Sequence, residues 1–376
     1  MFKRLLITAA VCAVWAGAAR AQLSQVGKGY ELDKLPEVAE GFAVQFFAKE
    51  PTLLHPASMA FDRKGRLFVG HGPQFRKPKP TTDPDSIVIL TDTDGDGVAD
   101  RSKVFATGFN CIQAMAWKGN DLWVANCPDV TIVRDTDGDD VADEYELVFT
   151  GLGHARHGLH GFNWAPDGKL YMSQGNSGVQ KHAPKAFREL MHIKSDEPDR
   201  QPLNKIFKPS EYKHSYIGKW PSREGGILRC DPGGKNLEIW SRGHRNPWDI
   251  NFDDQFVWLG TDNDDGPEHD RIFSPFFGSH YGKSHPWSYS WTGKDNPPTV
   301  PVSGLFPKAN GSGVGVVFYT AEHFPPKYRN VFLIGDWTDK SIFVFRRQWD
   351  GGLLKPEGKL GVLATAAPRQ NKSLFR

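Results

Sequence analysis

The chain has 376 residues, with Lys+Arg 46 against Asp+Glu 44 and a net charge of +2. That length allows one large domain with a well-buried core, and the near-neutral balance leaves no basic footprint for nucleic acid. Aromatics at 12%, with 39 Gly and 27 Pro, point to short strands joined by tight turns, so an all-β fold is expected.

Residues 1–21 have the form of a signal peptide. Lys3 and Arg4 precede the apolar run Leu5 to Ala19, and Ala19-Arg20-Ala21 has the small-x-small cleavage pattern. The apolar run is shorter than the ~20 residues of a membrane span. The expectation is an exported chain, periplasmic or extracellular, with no transmembrane span after processing. Residues 22–40 read as a lead segment, 41–350 as the main domain, and 351–376 as a polar tail or a truncated blade. Cys12 leaves with the signal, so Cys111, Cys127 and Cys230 remain; Cys111 and Cys127 flank one hairpin and are either bonded or two buried thiols. No Cys-x-x-Cys-His occurs, which excludes an attached c-type haem.

One hairpin recurs along the chain: an apolar strand, a Gly-, Asp- or Asn-rich turn, and a strand with a central aromatic. Copies start at Met59, Met115, Phe162, Ile250 and, more loosely, Phe324. Blade-sized repeats predict a six-bladed-type β-propeller with five blades visible, each hairpin forming the middle strands of a blade. The ring is then either incomplete or closed with help from a strand at Ala43 to Ala48. Ala183 to Ile193 reads as one helix, inside a charged insertion, Lys181 to Pro221, expected over one face of the disc.

Two acidic loops, DTDGDGVAD (Asp92, Asp94, Asp96, Asp100) and DTDGDDVAD (Asp135, Asp137, Asp139, Asp143), set hard oxygens on one side of a tight turn, which suits structural calcium. The EF-hand pattern is partial: Gly97 but Lys103 in the first, Asp140 but Glu146 in the second. His154, His157 and His160 have a spacing that could supply zinc ligands. Arg245 and Asn246, in SRGHRNP, can project a planar charged fork and an amide toward a central cavity.

GFNWAPDGKLYMSQGN, GGILRCDPGG, SRGHRNPWDINFDD, DNDDGPEHD and FYTAEHFPPKYRNVFLIGDW occur in an order that resembles the glucose/sorbosone dehydrogenase family, soluble quinoproteins with a six-bladed propeller. The opening PEVAEGFAVQFFAKEPTLLHPASMAFDRKGRLFVG and DTDGDGVADRSKVFATGF look closest to exported planctomycete proteins of the membrane-bound dehydrogenase type. The likeness spans about Glu37 to Arg347, and GHRNP is its most specific piece. It implies His157, nine residues before Pro166, as the catalytic base that takes a hydroxyl proton while hydride passes to pyrroloquinoline quinone (PQQ), with Arg245 stabilising the reduced quinone. It implies His160, Arg245, Asn246 and Lys340 as cofactor contacts, and Glu268 and Asp270 beside an active-site calcium. Trp248 departs from the family, which often has a polar residue there. The expected substrate is a sugar or alcohol, with a cytochrome or haem domain as electron acceptor. Two other readings stand beside it: a non-catalytic exported propeller binding saccharide or protein, and a calcium-dependent lactonase using Asp262, Asn263 and Glu268 at the axis.

Overall fold

The computed structural model describes residues 35–75, 82–154, 156–213, 223–263, 269–283, 300–309 and 311–365. Among them the strands form five sheets of four or five antiparallel-based strands and one two-stranded ribbon, and the five sheets are the blades of a propeller. The expected all-β class and five visible blades are observed.

The innermost strands are Pro56–Phe61, Ile112–Lys118, Leu159–Trp164, Asn246–Phe252 and Gly313–Tyr319. Each packs beside the next around the axis. The recurring hairpin therefore supplies the first and second strands of a blade, not the middle pair. The fifth copy shifts most: its inner strand lies upstream at Gly313–Tyr319, and Phe324 sits in the following loop, because Phe324 stacks on Tyr319 at 4.0 Å instead of extending a ladder.

Asp fixes the hairpin turns through its side chain. Asp62 Oδ1 accepts from the amides of Lys64 and Arg66, Asp167 Oδ1 from that of Lys169, and Asp253 Oδ1 from those of Gln255 and Val257. Hydrophobic clusters then fill the spaces between neighbouring blades. Phe68, Phe105, Phe109 and Met115 pack between the first and second, and Leu259, Phe306, Phe318 and Phe332 between the fourth and fifth.

Insertions protect the blade edges. Lys205–Phe207, from the third blade, pairs with the outer strand of the second, and Ser279–His280, from the fourth, pairs with the outer strand of the third. The expected helix is Lys185–Leu190. Its Phe187, Leu190 and Met191 are fully buried in the core that the second and third blades share, and His192 just after it reaches Glu224 at the start of the third blade's third strand. Residues 214–221 of the helix-bearing insertion lie outside the described residues.

Glu37–Val38, expected as part of the lead segment, joins the edge of the fifth blade against Gly361–Thr365. Gly361–Thr365, expected in the tail, is that blade's fourth strand, so the propeller extends past residue 350. The stretch at 43–48 is not a strand. It crosses from the fifth blade to the first: Phe42 meets Phe324 and Tyr328 at 4.8 and 4.9 Å, while Phe47 and Leu53 pack on Val69, Val88 and Leu90. A segment without a sheet covers less than a blade would, and Met59 and Phe61 remain 67% exposed on the inner strand of the first blade.

Among the described residues no helix is long and apolar enough to cross a membrane. The expected signal peptide, residues 1–21, lies outside them. Cys111 and Cys127 pack together as buried thiols with no disulfide between them, and Cys230 is a third buried thiol. Burial pushes the Cys127 and Cys230 thiols up to about 12.

Candidate active site

Buried polar side chains gather on one face of the disc, where inner strands begin and second strands end. His71, Asp85, Asn126, His160, Gln174, Glu224, Asn246, Asn263 and Asp270 all lie at or beside those strand ends. The predicted histidines and the Arg-Asn pair meet there, between the third and fourth blades.

His157 stands in the loop just before Leu159–Trp164, with Nδ1 2.8 Å from Asn176 Oδ1. An amide oxygen only accepts, so Nδ1 carries the proton and Nε2 is the basic nitrogen. Asn176 also donates its backbone amide to the Arg245 carbonyl at 2.8 Å and accepts from the Arg223 amide at 2.9 Å. Asn176 thus ties the histidine loop to the arginine loop.

His160 is buried, stacked on Trp248 at 4.1 Å and 19° between planes, and 3.1 Å from Asn246 Oδ1. Burial pushes its imidazole down to about 3, against the Asn246 bond, so it is neutral. A register shift between Pro247 and Asp249 leaves Trp248 outside the regular pairing, which is how a bulge re-aims a side chain.

Asp262 anchors the Arg-Asn pair from below. Its Oδ1 accepts the backbone amides of Arg245 (3.2 Å) and Asn246 (2.9 Å), and its Oδ2 meets Arg271 (2.7 Å) and His244 Nδ1 (3.1 Å). Burial would raise its carboxyl, but the Arg271 charge and the His244 bond outweigh it and hold it below its ordinary value. Those partners occupy both oxygens, which removes Asp262 from the lactonase constellation; Asn263 in turn donates to Asp270 and Gly313.

Glycine makes the close approach possible. A Cβ on Gly175 would fall 2.3 Å from Asn246 Oδ1 and 2.7 Å from the His157 carbonyl carbon, and one on Gly225 2.5 Å from the Gln174 carbonyl. Gly175→Ala is expected to cost about 1–3 kcal/mol in thermal unfolding, as other overpacked sites do.

The three histidines do not converge. His154 Nδ1 accepts the amides of Arg156 and His157, and His160 turns to Asn246, so the zinc arrangement is absent. Lys340 lies on the same face, in the turn between Val331–Asp336 and Ser341–Phe345. Asp270 Oδ2 accepts from Asn263 and from the Gly313 amide at 2.8 Å. Glu268 lies outside the described residues.

The acidic loops are the turns between the third and fourth strands of the first two blades, at the opposite end of the strands from the histidines. Asp92, Asp94 and Asp96, and equally Asp135, Asp137 and Asp139, bring carboxylate oxygens within 4.8 Å of one another and could each hold a cation. Asp100 and Asp143 instead bond Thr93 and Thr136. Asp140 replaces Gly97 at a left-handed position, φ 66° against 83°, which Asp tolerates. Glu146 pairs with Arg134 at 2.6 Å and does not complete a calcium loop.

Sequence reasoning missed Asn176 as a partner, and Asp249 altogether. Asp249 accepts the amides of Ile250 and Val316, lies against Gly161, and links three blades; burial pushes its carboxyl up to about 7. Its only sequence signal is a carboxylate at an otherwise apolar inner-strand position.

A family model described as a domain of unknown function (DUF7133) matches residues 31–351. No curated protein matches the chain. Among solved structures, the calcium structure of a Trichoderma reesei carbohydrate-active enzyme of family AA12 is similar at 13% identity and TM-score 0.59, covering 89% of this chain and 88% of that one. The holo PQQ domain of a Coprinopsis cinerea pyranose dehydrogenase is similar at 12% identity and TM-score 0.55, covering 92% and 89%. The PQQ-bound aldose sugar dehydrogenase of Streptomyces coelicolor is similar at 14% identity and TM-score 0.54, covering 87% and 84%. At these identities the likeness establishes the propeller fold.

Proposed function

The chain belongs to the DUF7133 family, and from that premise we propose that it is an exported oxidoreductase that oxidises a sugar or alcohol hydroxyl with PQQ and calcium. The observation that carries this reading is the tie through Asn176, whose side chain orients His157 and whose backbone amide bonds the Arg245 carbonyl, joining the two loops on the polar face.

The face fits a flat polar cofactor. Gln174 Oε1 is buried with no hydrogen-bond partner among the described residues, an acceptor that a polar ligand could satisfy. Arg245 and Lys340 would hold the cofactor, with Arg245 as a fork for carboxylate or quinone oxygens, whereas the Asn246 amide is committed to His160, the Arg156 carbonyl and Asn263 and instead positions the loop. The quinone supplies a two-electron, hydride-accepting centre. His157 Nε2 takes the hydroxyl proton, and Asn176 fixes the tautomer and ring orientation that make this possible. Buried, neutral His160 on Trp248 forms a dry wall beside it. Calcium would sit near Asp270, where Asp336 lies across Gly311 and a cation would offset the burial and the Asp339 charge that raise the Asp336 carboxyl. Electrons would leave to a cytochrome or haem domain in the periplasm or outside the cell.

Reconstitution of the purified mature chain with PQQ and calcium tests the reading. The expected result is quinone absorbance on the protein and dye reduction with members of a sugar and alcohol panel. A folded, calcium-loaded chain that binds no PQQ would falsify it.

A further inference from the structure

Trp248 is the residue that the bulge at the start of Asn246–Phe252 turns out of the ladder, on the face that carries His157 and Arg245. Buried Ser173 holds that bulge: its Oγ accepts the Gly161 amide at 2.8 Å and donates to the Trp248 carbonyl at 2.9 Å. His160 backs one face of the indole at 4.1 Å and 19° between planes, and Asn246 fixes the His160 ring in turn. The opposite face of the half-buried indole meets no aromatic ring or cation among the described residues. Its N–H has no hydrogen-bond partner among them and, unlike those of Trp117, Trp164 and Trp258, is not shut away from solvent.

We propose that the open face of Trp248 is a stacking platform for a pyranose ring. Resting on the oxidoreductase reading of this face, the platform narrows the substrate to cyclic sugars. An indole offers a broad apolar surface whose π-face attracts C–H groups, with one donor at its edge. A pyranose matches both features, because one side of its ring is a patch of C–H groups and hydroxyls surround it. On the same face, His157, Arg245 and the unsatisfied Gln174 Oε1 are the groups that can meet those hydroxyls. A small aliphatic alcohol would leave the indole uncovered. An acyclic polyol would have to be ordered before it could cover the ring, whereas Ser173 and His160 already hold the platform in place.

Trp337, just after Val331–Asp336, is the other half-buried tryptophan on this face among the described residues. Its ring has no aromatic partner behind it among those residues, so nothing aims it as His160 aims Trp248. It serves as the control position.

Saturation-transfer NMR and calorimetric titration on the full mature chain, in calcium buffer without quinone, test the platform with methyl β-glucopyranoside and with sorbitol. The pyranoside should bind, and the axial C–H protons of one ring face should take up more saturation than those of the other. Trp248→Gln should weaken the pyranoside about tenfold, and Trp248→Phe, which keeps a ring, should recover most of that loss. Sorbitol should bind more weakly than the pyranoside, and Trp337→Gln should leave pyranoside binding unchanged. The face-selective saturation is read in the unaltered chain, so it decides the matter even where a Trp248 variant fails to fold. No pyranoside binding by the folded chain, equal saturation of both faces, or a loss at Trp337 and none at Trp248 overturns the platform. So does a Trp248→Gln chain that loses PQQ but keeps the pyranoside, which would give the indole to the cofactor. Because these titrations need no quinone and no turnover, the platform and the oxidation can fail separately.

Discussion

Asp262→Ala should lower the unfolding free energy by about 3–5 kcal/mol, the range expected when one partner of a buried ion pair is removed. The substitution leaves Arg271, itself 1% exposed, without its carboxylate. It also strips the amides of Arg245 and Asn246 of their acceptor at the start of an inner strand. Asp262→Asn keeps one acceptor oxygen and the shape, so its loss should be smaller. Urea titration of both variants measures this, and a loss under about 1 kcal/mol for alanine would remove Asp262 as the anchor of the site.

The same network sets an acid limb. Burial, against the Asp262 bond and charge, lowers the His244 imidazole below its ordinary value, so the unfolded chain binds that proton more readily. Its contribution is complete above about pH 6.5 and is lost as pH falls below that value. Asp262, held low in the folded state, adds stability above the ordinary carboxylate range that is lost as pH falls further. Stability of the unaltered chain should therefore drop in two stages on acidification, and the second stage should be smaller in Asp262→Asn, with other lowered carboxyls such as Asp62 and Asp231 supplying the rest.

The propeller was legible because the hairpin turns are chemically marked. Asp62, Asp167 and Asp253 each bond the amides that follow, and that device shows in the sequence as Asp before a Gly or a left-handed residue. Strand order was not legible in the same way. An inner strand such as Pro56–Phe61 and a second strand such as Leu67–His71 differ in what covers them, and covering is a tertiary property. The fourth strand of the fifth blade, Gly361–Thr365, looks like tail in the sequence because it is short and follows a polar stretch.

The site divides similarly. His157, His160, Arg245 and Asn246 were found from local motifs, and the fold brings them to one face. Asn176 and Glu224 act on residues 19 and 32 positions away, at His157 and His192, and nothing local marks them. His154 had the right spacing for a metal ligand, but its Nδ1 accepts two backbone amides of its own loop. Spacing alone does not reveal which way an imidazole turns.

His157→Ala in the PQQ- and calcium-loaded chain should lower kcat by roughly 10²–10⁴, the usual contribution of a positioned general base, while cofactor absorbance on the protein is retained. A structural role would instead lower cofactor retention and stability together. The partner at 176 gives a sharper test, because Asn176 accepts from Nδ1 without a charge. Only the neutral imidazole can take the hydroxyl proton, so turnover should rise with pH through the titration of His157. In Asn176→Asp a carboxylate at the same place would favour the imidazolium. The rising limb of the kcat profile should then move to higher pH, and the base should be stronger once deprotonated. A limb that stays in place, in a variant that still binds the cofactor, would mean that the titrating base is not His157.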